Sequence, residues 1–151
     1  MQVNWGRIDM GKKRVLVADD DVDVLEVIKA ILEHEGLQVN TARDGEQAFK
    51  LLRKHAFNAV ILDVSMPRVP GTKLLQLMRR SSKFRKTPAM LITGNVLETK
   101  RMEEEGTLKL ANDLLIKPFN TRDLIKKVKL LVNSEKDSRQ PASKPDKEPR
   151  V

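Results

Sequence analysis

Cysteine is absent from the 151 residues. That excludes a disulfide framework and any zinc site built on thiolates, and it fits a reducing cytoplasm. Aromatic residues make up only 3% of the chain and tyrosine is missing altogether, yet a 40% hydrophobic content suffices for the core of one domain. Long apolar runs are also lacking. Ala59-Val60-Ile61-Leu62 is far too short to span a bilayer, so no membrane association is expected. The opening stretch Met1 to Gly11 has no apolar segment followed by a small-residue cleavage site, which argues against a secretory signal. No repeat recurs at the periods of solenoids.

Acid is missing over a long stretch. Between Val64 and Leu97 there is no Asp or Glu, while Arg68, Lys73, Arg79, Arg80, Lys83, Arg85 and Lys86 are all basic. Lys126, Lys127 and Lys129 form a second cluster, and the net charge is +8. Charge runs of this kind are ordinarily solvated helix faces and loops, with a basic docking face for an acidic partner as the second reading. Nucleic acid is not the expected partner, because no helix-turn-helix or zinc-finger pattern is present.

What is present is a regular alternation. Arg14 to Ala18 is a Val-rich run suited to a strand buried on both faces. Val24, Leu25, Ile28, Ile31 and Leu32 then recur at helical spacing, and Gly36 is a natural helix stop. Leu37 to Ala42 reads as a second strand, followed by a helix over Gln47 to Lys54 and a third strand over Phe57 to Leu62. Lys73 to Arg80 is expected to be helical with Leu74, Leu77 and Met78 as its apolar stripe. Pro88 to Ile92, Leu97 to Glu105 and Leu114 to Ile116 continue as strand, helix and strand. A last helix is capped by Asn120 or Thr121 and buries Leu124, Val128, Leu131 and Val132. Five strands alternating with five helices predict a single α/β domain with a parallel sheet. Residues 1–12 read as an extension, 13–133 as the domain, and 134–151 as a disordered, charged tail containing Pro141, Pro145 and Pro149.

In an open parallel sheet, ligands bind beyond the carboxyl ends of the strands. Asp19, Asp20 and Asp21 follow the first strand, Asp63 the third, Thr93 the fourth and Lys117 the fifth. Polar residues therefore collect at one end of the sheet. Clustered carboxylates repel one another without a cation, and oxygen ligands with no His or Cys nearby suit a hard ion such as Mg²⁺. A carboxylate beside such an ion can act as a nucleophile toward phosphorus. Thr93 and Lys117 would supply the hydroxyl donor and fixed cation that a transferring anionic group needs. Singly, each residue has a plainer explanation: a helix N-terminus, a turn residue, a surface charge. Their occurrence together, in this order, favours a site.

The segments Val15 to Asp21, Ile61 to Pro67, Leu91 to Gly94 and Leu115 to Phe119 resemble the signature segments of response-regulator receiver domains. The resemblance covers about Lys13 to Asn133. It implies a flavodoxin-like, doubly wound five-stranded (βα)5 fold and phosphotransfer from a histidine kinase or phosphotransfer protein. By that resemblance Asp63 is the phosphoacceptor, and Asp19, Asp20, Asp63 and the backbone carbonyl of Ser65 hold Mg²⁺. Thr93 would swing toward the phosphoryl oxygens, Lys117 would pair with them, and Lys117-Pro118 would be cis. Such a domain is a signalling element, not a turnover enzyme, with Mg²⁺-dependent self-phosphorylation and dephosphorylation chemistry.

Departures bear on the output. Leu114 stands where the family often has an aromatic residue. Glu105 to Asp113 looks longer than the usual link, with Leu110 where Gly is common, and Val69-Pro70 replaces the commoner acidic residue before Gly71. Asp21 reads as the start of the first helix and Gly45 as a turn residue before the second. With the tail after residue 133 read as too short for a second domain, output is expected through a protein partner at the surface of the fourth helix, fifth strand and fifth helix, or by passing the phosphoryl group along a relay. A cytoplasmic monomer or weak dimer is the expected form. The alternative is a receiver-like module whose binding ignores phosphorylation, and a hydrolase with an Asp nucleophile is disfavoured because a cap domain does not fit.

Overall fold

The structure, a computed structural model, describes residues 12–139. The expected N-terminal extension (all but residue 12) and the tail from residue 140 onward lie outside the described residues. Strands β1 (Arg14–Ala18), β2 (Gln38–Ala42), β3 (Ala59–Asp63), β4 (Ala89–Thr93) and β5 (Asp113–Ile116) form one sheet. They alternate with helices α1 (Val22–His34), α2 (Gly45–Lys54), α3 (Gly71–Arg80), α4 (Val96–Glu105) and α5 (Thr121–Arg139), with a 3₁₀ turn at Leu108–Leu110 before β5.

The order is β2-β1-β3-β4-β5 and every neighbouring pair is parallel. Because side chains alternate across a strand, each central strand feeds two cores. Val15, Val17, Ile61, Met90, Ile92 and Leu115 face α1 and α5, meeting Leu25, Ile28, Leu32, Leu124, Val128 and Leu131. Leu16, Ala18, Val60, Leu62, Ala89 and Leu91 face the other way, against Ala48, Leu52, Leu74, Leu75, Met78 and Met102 of α2, α3 and α4. β3 and β4 are buried along their whole length. They explain why those segments are continuously apolar until their last residue. The aliphatic side chains fill both layers, so the shortage of aromatics costs the fold little.

Local chemistry sets the helix ends. Asp21 accepts from the backbone N–H groups of Asp23 and Val24 to start α1, and Asp44 accepts from Gln47 N at 2.8 Å to start α2. Asn120, not Thr121, caps α5 by accepting from Asp123 N at 2.7 Å. Gly36 and Gly106 take positive φ (91° and 82°) just beyond α1 and α4.

Several expectations are corrected. α5 runs on through Arg139, six residues into the segment read as disordered tail; Ser134 to Arg139 contains no Pro or Gly to stop it. In α3 it is Leu75 that is buried, while Leu77 is 37% exposed. Gly45 is not a turn residue but the first residue of α2. A side-chain carbon there would stand 2.1 Å from the Val69 carbonyl oxygen. Arg79 departs from the solvated-face reading of the basic stretch. Its guanidinium donates to the carbonyls of Leu110 (2.9 Å), Arg85 (3.1 Å) and Thr87 (2.8 Å) and to Asn112 Oδ1 (3.1 Å). It thereby ties the α3–β4 loop to the longer link before β5. Lys127 and Lys129 are likewise paired, with Asp113 at 2.9 Å and Glu35 at 3.0 Å. Among the described residues no helix is long and apolar enough to cross a membrane.

Candidate functional site

The carboxyl edge of the sheet gathers the acids. Asp19 follows β1 directly and is fully buried; its backbone N–H extends the β1–β2 ladder to Ala42 O, and its Oδ1 accepts from Asp21 N at 2.9 Å. Asp63 ends β3 and is 6% exposed. Asp20 is exposed at the rim. Carboxylate oxygens of Asp19, Asp20 and Asp63 lie within 4.8 Å of one another, a spacing that could hold a metal ion.

Lys117 enters from the end of β5. Its backbone N–H donates to Thr93 O at 2.8 Å, and the Lys117-Pro118 bond is cis, as the resemblance implied. Its Nζ stands 2.9 Å from Asp19 Oδ2 and 3.5 Å from Asp63 Oδ1. One cation against two buried anions leaves the cluster net negative. Asp19 Oδ2, although beside that ammonium, receives no aligned hydrogen bond. A buried carboxylate oxygen with open lone pairs is what a hard cation would fill.

The electrostatics follow from this shortage of positive charge. Burial, then the charge of Asp19, push the Asp63 carboxyl up to about 7 against the opposing pull of Lys117. For Lys117 burial works downward, but its close pairing with Asp19 and the charge of Asp63 outweigh it, so its pKa is raised.

Ser65 is exposed in the loop after β3 and lines, with Asp20 and Glu98, a cleft of about 610 Å³. Thr93 ends β4 and is 1% exposed, one residue beyond the register partner of Asp63. Its hydroxyl donates to Glu98 Oε1 at 2.8 Å and accepts from Asn95 N at 3.1 Å. Asp19, Asp20, Asp63 and Lys117 are thus brought together, whereas the Thr93 hydroxyl is turned toward the first turn of α4. Asp21 is the α1 cap, as expected.

Two contributors were not picked out by sequence reasoning. Glu98 has no motif to mark it. Gly71, noted only as the glycine kept after the replaced acidic residue, begins α3 against the backbone of Asp63: a side-chain carbon at Gly71 would stand 2.0 Å from the Asp63 carbonyl oxygen. The glycine in the Pro70-Gly71 pair was the available signal.

Residues 15–129 match the family model described as the response regulator receiver domain. The transcriptional regulatory protein CpxR homolog of Haemophilus influenzae is 34% identical over 79% of this chain and 50% of its own length. The chain spans about half the length of the curated relatives it matches. Among solved structures, chemotaxis response regulator CheY4 of Vibrio cholerae superposes with a TM-score of 0.72 at 29% identity, covering 80% of this chain and 98% of that one. The response regulator TrrA from Thermotoga maritima, in complex with Mg²⁺-BeF, gives 0.70 at 30% identity over 79% and 98%.

Proposed function

Because the chain belongs to the response regulator receiver family of two-component systems, we propose that it accepts a phosphoryl group on Asp63 from a histidine kinase or phosphotransfer protein and signals through a protein partner. The observation that carries this reading is the convergence of Asp19, Asp20 and Asp63 within 4.8 Å, with Lys117 Nζ 3.5 Å from Asp63 Oδ1. A module that only bound partners would have no need to bury like charges at this cost.

Asp19, Asp20, Asp63 and the Ser65 carbonyl would hold Mg²⁺, which when bound neutralises charge on the acids and the phosphoryl oxygens. In the transfer, an Asp63 carboxylate oxygen forms the new bond to phosphorus as the bond from phosphorus to the donor's imidazole nitrogen breaks. The electron pair and a proton remain with the imidazole. Lys117 pairs with the anionic product, and Thr93 offers its hydroxyl to a phosphoryl oxygen. Partner binding is proposed for the face of α4, β5 and α5, where Val96 (74% exposed), Leu97 (72%) and Ile116 (41%) present apolar surface.

Incubation with acetyl phosphate and Mg²⁺ tests the assignment. Intact-mass measurement is expected to show one added phosphoryl group on the wild type and none on Asp63→Asn; equal labelling of the variant would overturn it. Failure of the wild type to label at all would favour a module that binds independently of phosphorylation.

A further inference from the structure

A threonine hydroxyl has a single proton to donate, and that of Thr93 is already committed. Glu98 Oε1 at 2.8 Å is the nearer and charged acceptor, ahead of the Asn95 carbonyl at 3.3 Å, and the second carboxylate oxygen of Glu98 accepts from the hydroxyl of Ser65. Glu98 lies in the first turn of α4, which begins at Val96 and is capped by Asn95 accepting from Leu97 N at 2.8 Å. One half-buried carboxylate therefore joins the end of β4, the loop after β3 and the start of α4.

We propose that Glu98 is a positioning residue that holds the resting state, its carboxylate competing with a phosphoryl group on Asp63 for the Thr93 hydroxyl. The inference rests on the phosphoacceptor reading of Asp63. One proton cannot make a full-strength bond to each of two anionic acceptors, so a phosphoryl group that captures the hydroxyl weakens or breaks the bond to Glu98. Like charge adds to the effect, because the incoming group is anionic and Glu98 borders the same cleft as Asp20 and Ser65. A ligand shifts a conformational equilibrium only through interactions that differ between the states, and the redirected hydroxyl is such a difference. Release of Glu98 unties the turn that carries Val96 and Leu97, the most exposed large apolar side chains among the described residues. The site would thereby reach the surface through Thr93 and Glu98, with no aromatic side chain at Leu114 required.

The test is a titration of wild type, Glu98→Ala and Glu98→Gln with beryllofluoride at saturating Mg²⁺, followed at the backbone amides of Val96 and Leu97 by NMR. Glu98→Ala is expected to bind roughly five- to tenfold more tightly than wild type, since the competing charged acceptor is gone. Glu98→Gln should fall between the two, because its amide oxygen still accepts from Thr93 but carries no charge. In a Thr93→Val background the gain from Glu98→Ala should shrink to less than about twofold, a coupling that a merely structural residue would not show. Equal affinity of wild type and Glu98→Ala would overturn the inference while leaving the phosphoacceptor reading intact. So would a gain that persists undiminished in Thr93→Val. Absence of beryllofluoride binding by the wild type would overturn both.

Discussion

The Asp63 carboxyl sits near pH 7 because burial and the Asp19 charge outweigh Lys117, whereas in the unfolded chain it titrates near 3.8. Between those values the folded protein holds a proton that the unfolded chain has released. Stability of the metal-free protein should therefore fall as pH rises from about 4 to about 7 and level off above that. Urea unfolding in the presence of a chelator should show this as a loss on the order of 4 kcal/mol across the window. Asp63→Asn should remove that part of the slope; a slope unchanged in the variant would mean that Asp63 is not the titrating group. The same shift bears on the proposed chemistry, since a protonated carboxyl is no nucleophile. A cation placed among Asp19, Asp20 and Asp63 would favour the anion and bring the reactive form back at neutral pH.

At the level of elements, two helices begin at glycines for a reason unrelated to turns. α2 starts at Gly45 against the Val69 carbonyl, and α3 starts at Gly71 against the Asp63 carbonyl, each too close for a side-chain carbon. The β3–α3 loop between these contacts is held further by Arg68, which takes a φ of 69° and donates to the buried carboxylate of Asp44 at 2.7 Å. Alanine normally stabilises a helix relative to glycine, but Gly71→Ala should do the reverse. It must displace Asp63 or the start of α3, at a cost of about 3 kcal/mol, read as a lower urea midpoint. Phosphoryl labelling of Asp63 should fall with it. A neutral or stabilising Gly71→Ala would show that the contact relaxes freely.

For the whole molecule, the acidic edge is a small negative site in a chain of net charge +8. Folding concentrates Asp19, Asp20 and Asp63 where the unfolded chain keeps them apart, so Mg²⁺ should bind the folded state alone. At one hundred times its dissociation constant such a ligand contributes about 2.7 kcal/mol. Thermal melting with excess Mg²⁺ should accordingly rise by several degrees. The rise should be largely lost in Asp20→Asn, whose exposed position makes it a mild change to the fold. An equal rise in the variant would place the ion elsewhere. The paired Lys127 and Lys129 and the internally bonded Arg79 also reduce the free basic surface below what the composition implies.

Asp19, Asp63, Thr93 and Lys117 could be placed from the sequence because every strand of a parallel sheet ends at the same edge. A position along the chain then becomes a position in space. The buried runs, the caps at Asp21 and Asn120 and the stop at Gly36 are likewise local, each decided by neighbours within a turn or two. Contacts between distant segments were decided only by packing. Which of Leu75 and Leu77 faces inward depends on how α3 lies on the sheet, and the length of α5 shows only once the helix is followed to Arg139. Gly45 meets Val69, and Glu98 takes the Ser65 hydroxyl, because loops from separate βα units are pressed together above one edge. The sequence by itself determined which chemical groups stand at the site; the tertiary structure decided which of them are already engaged.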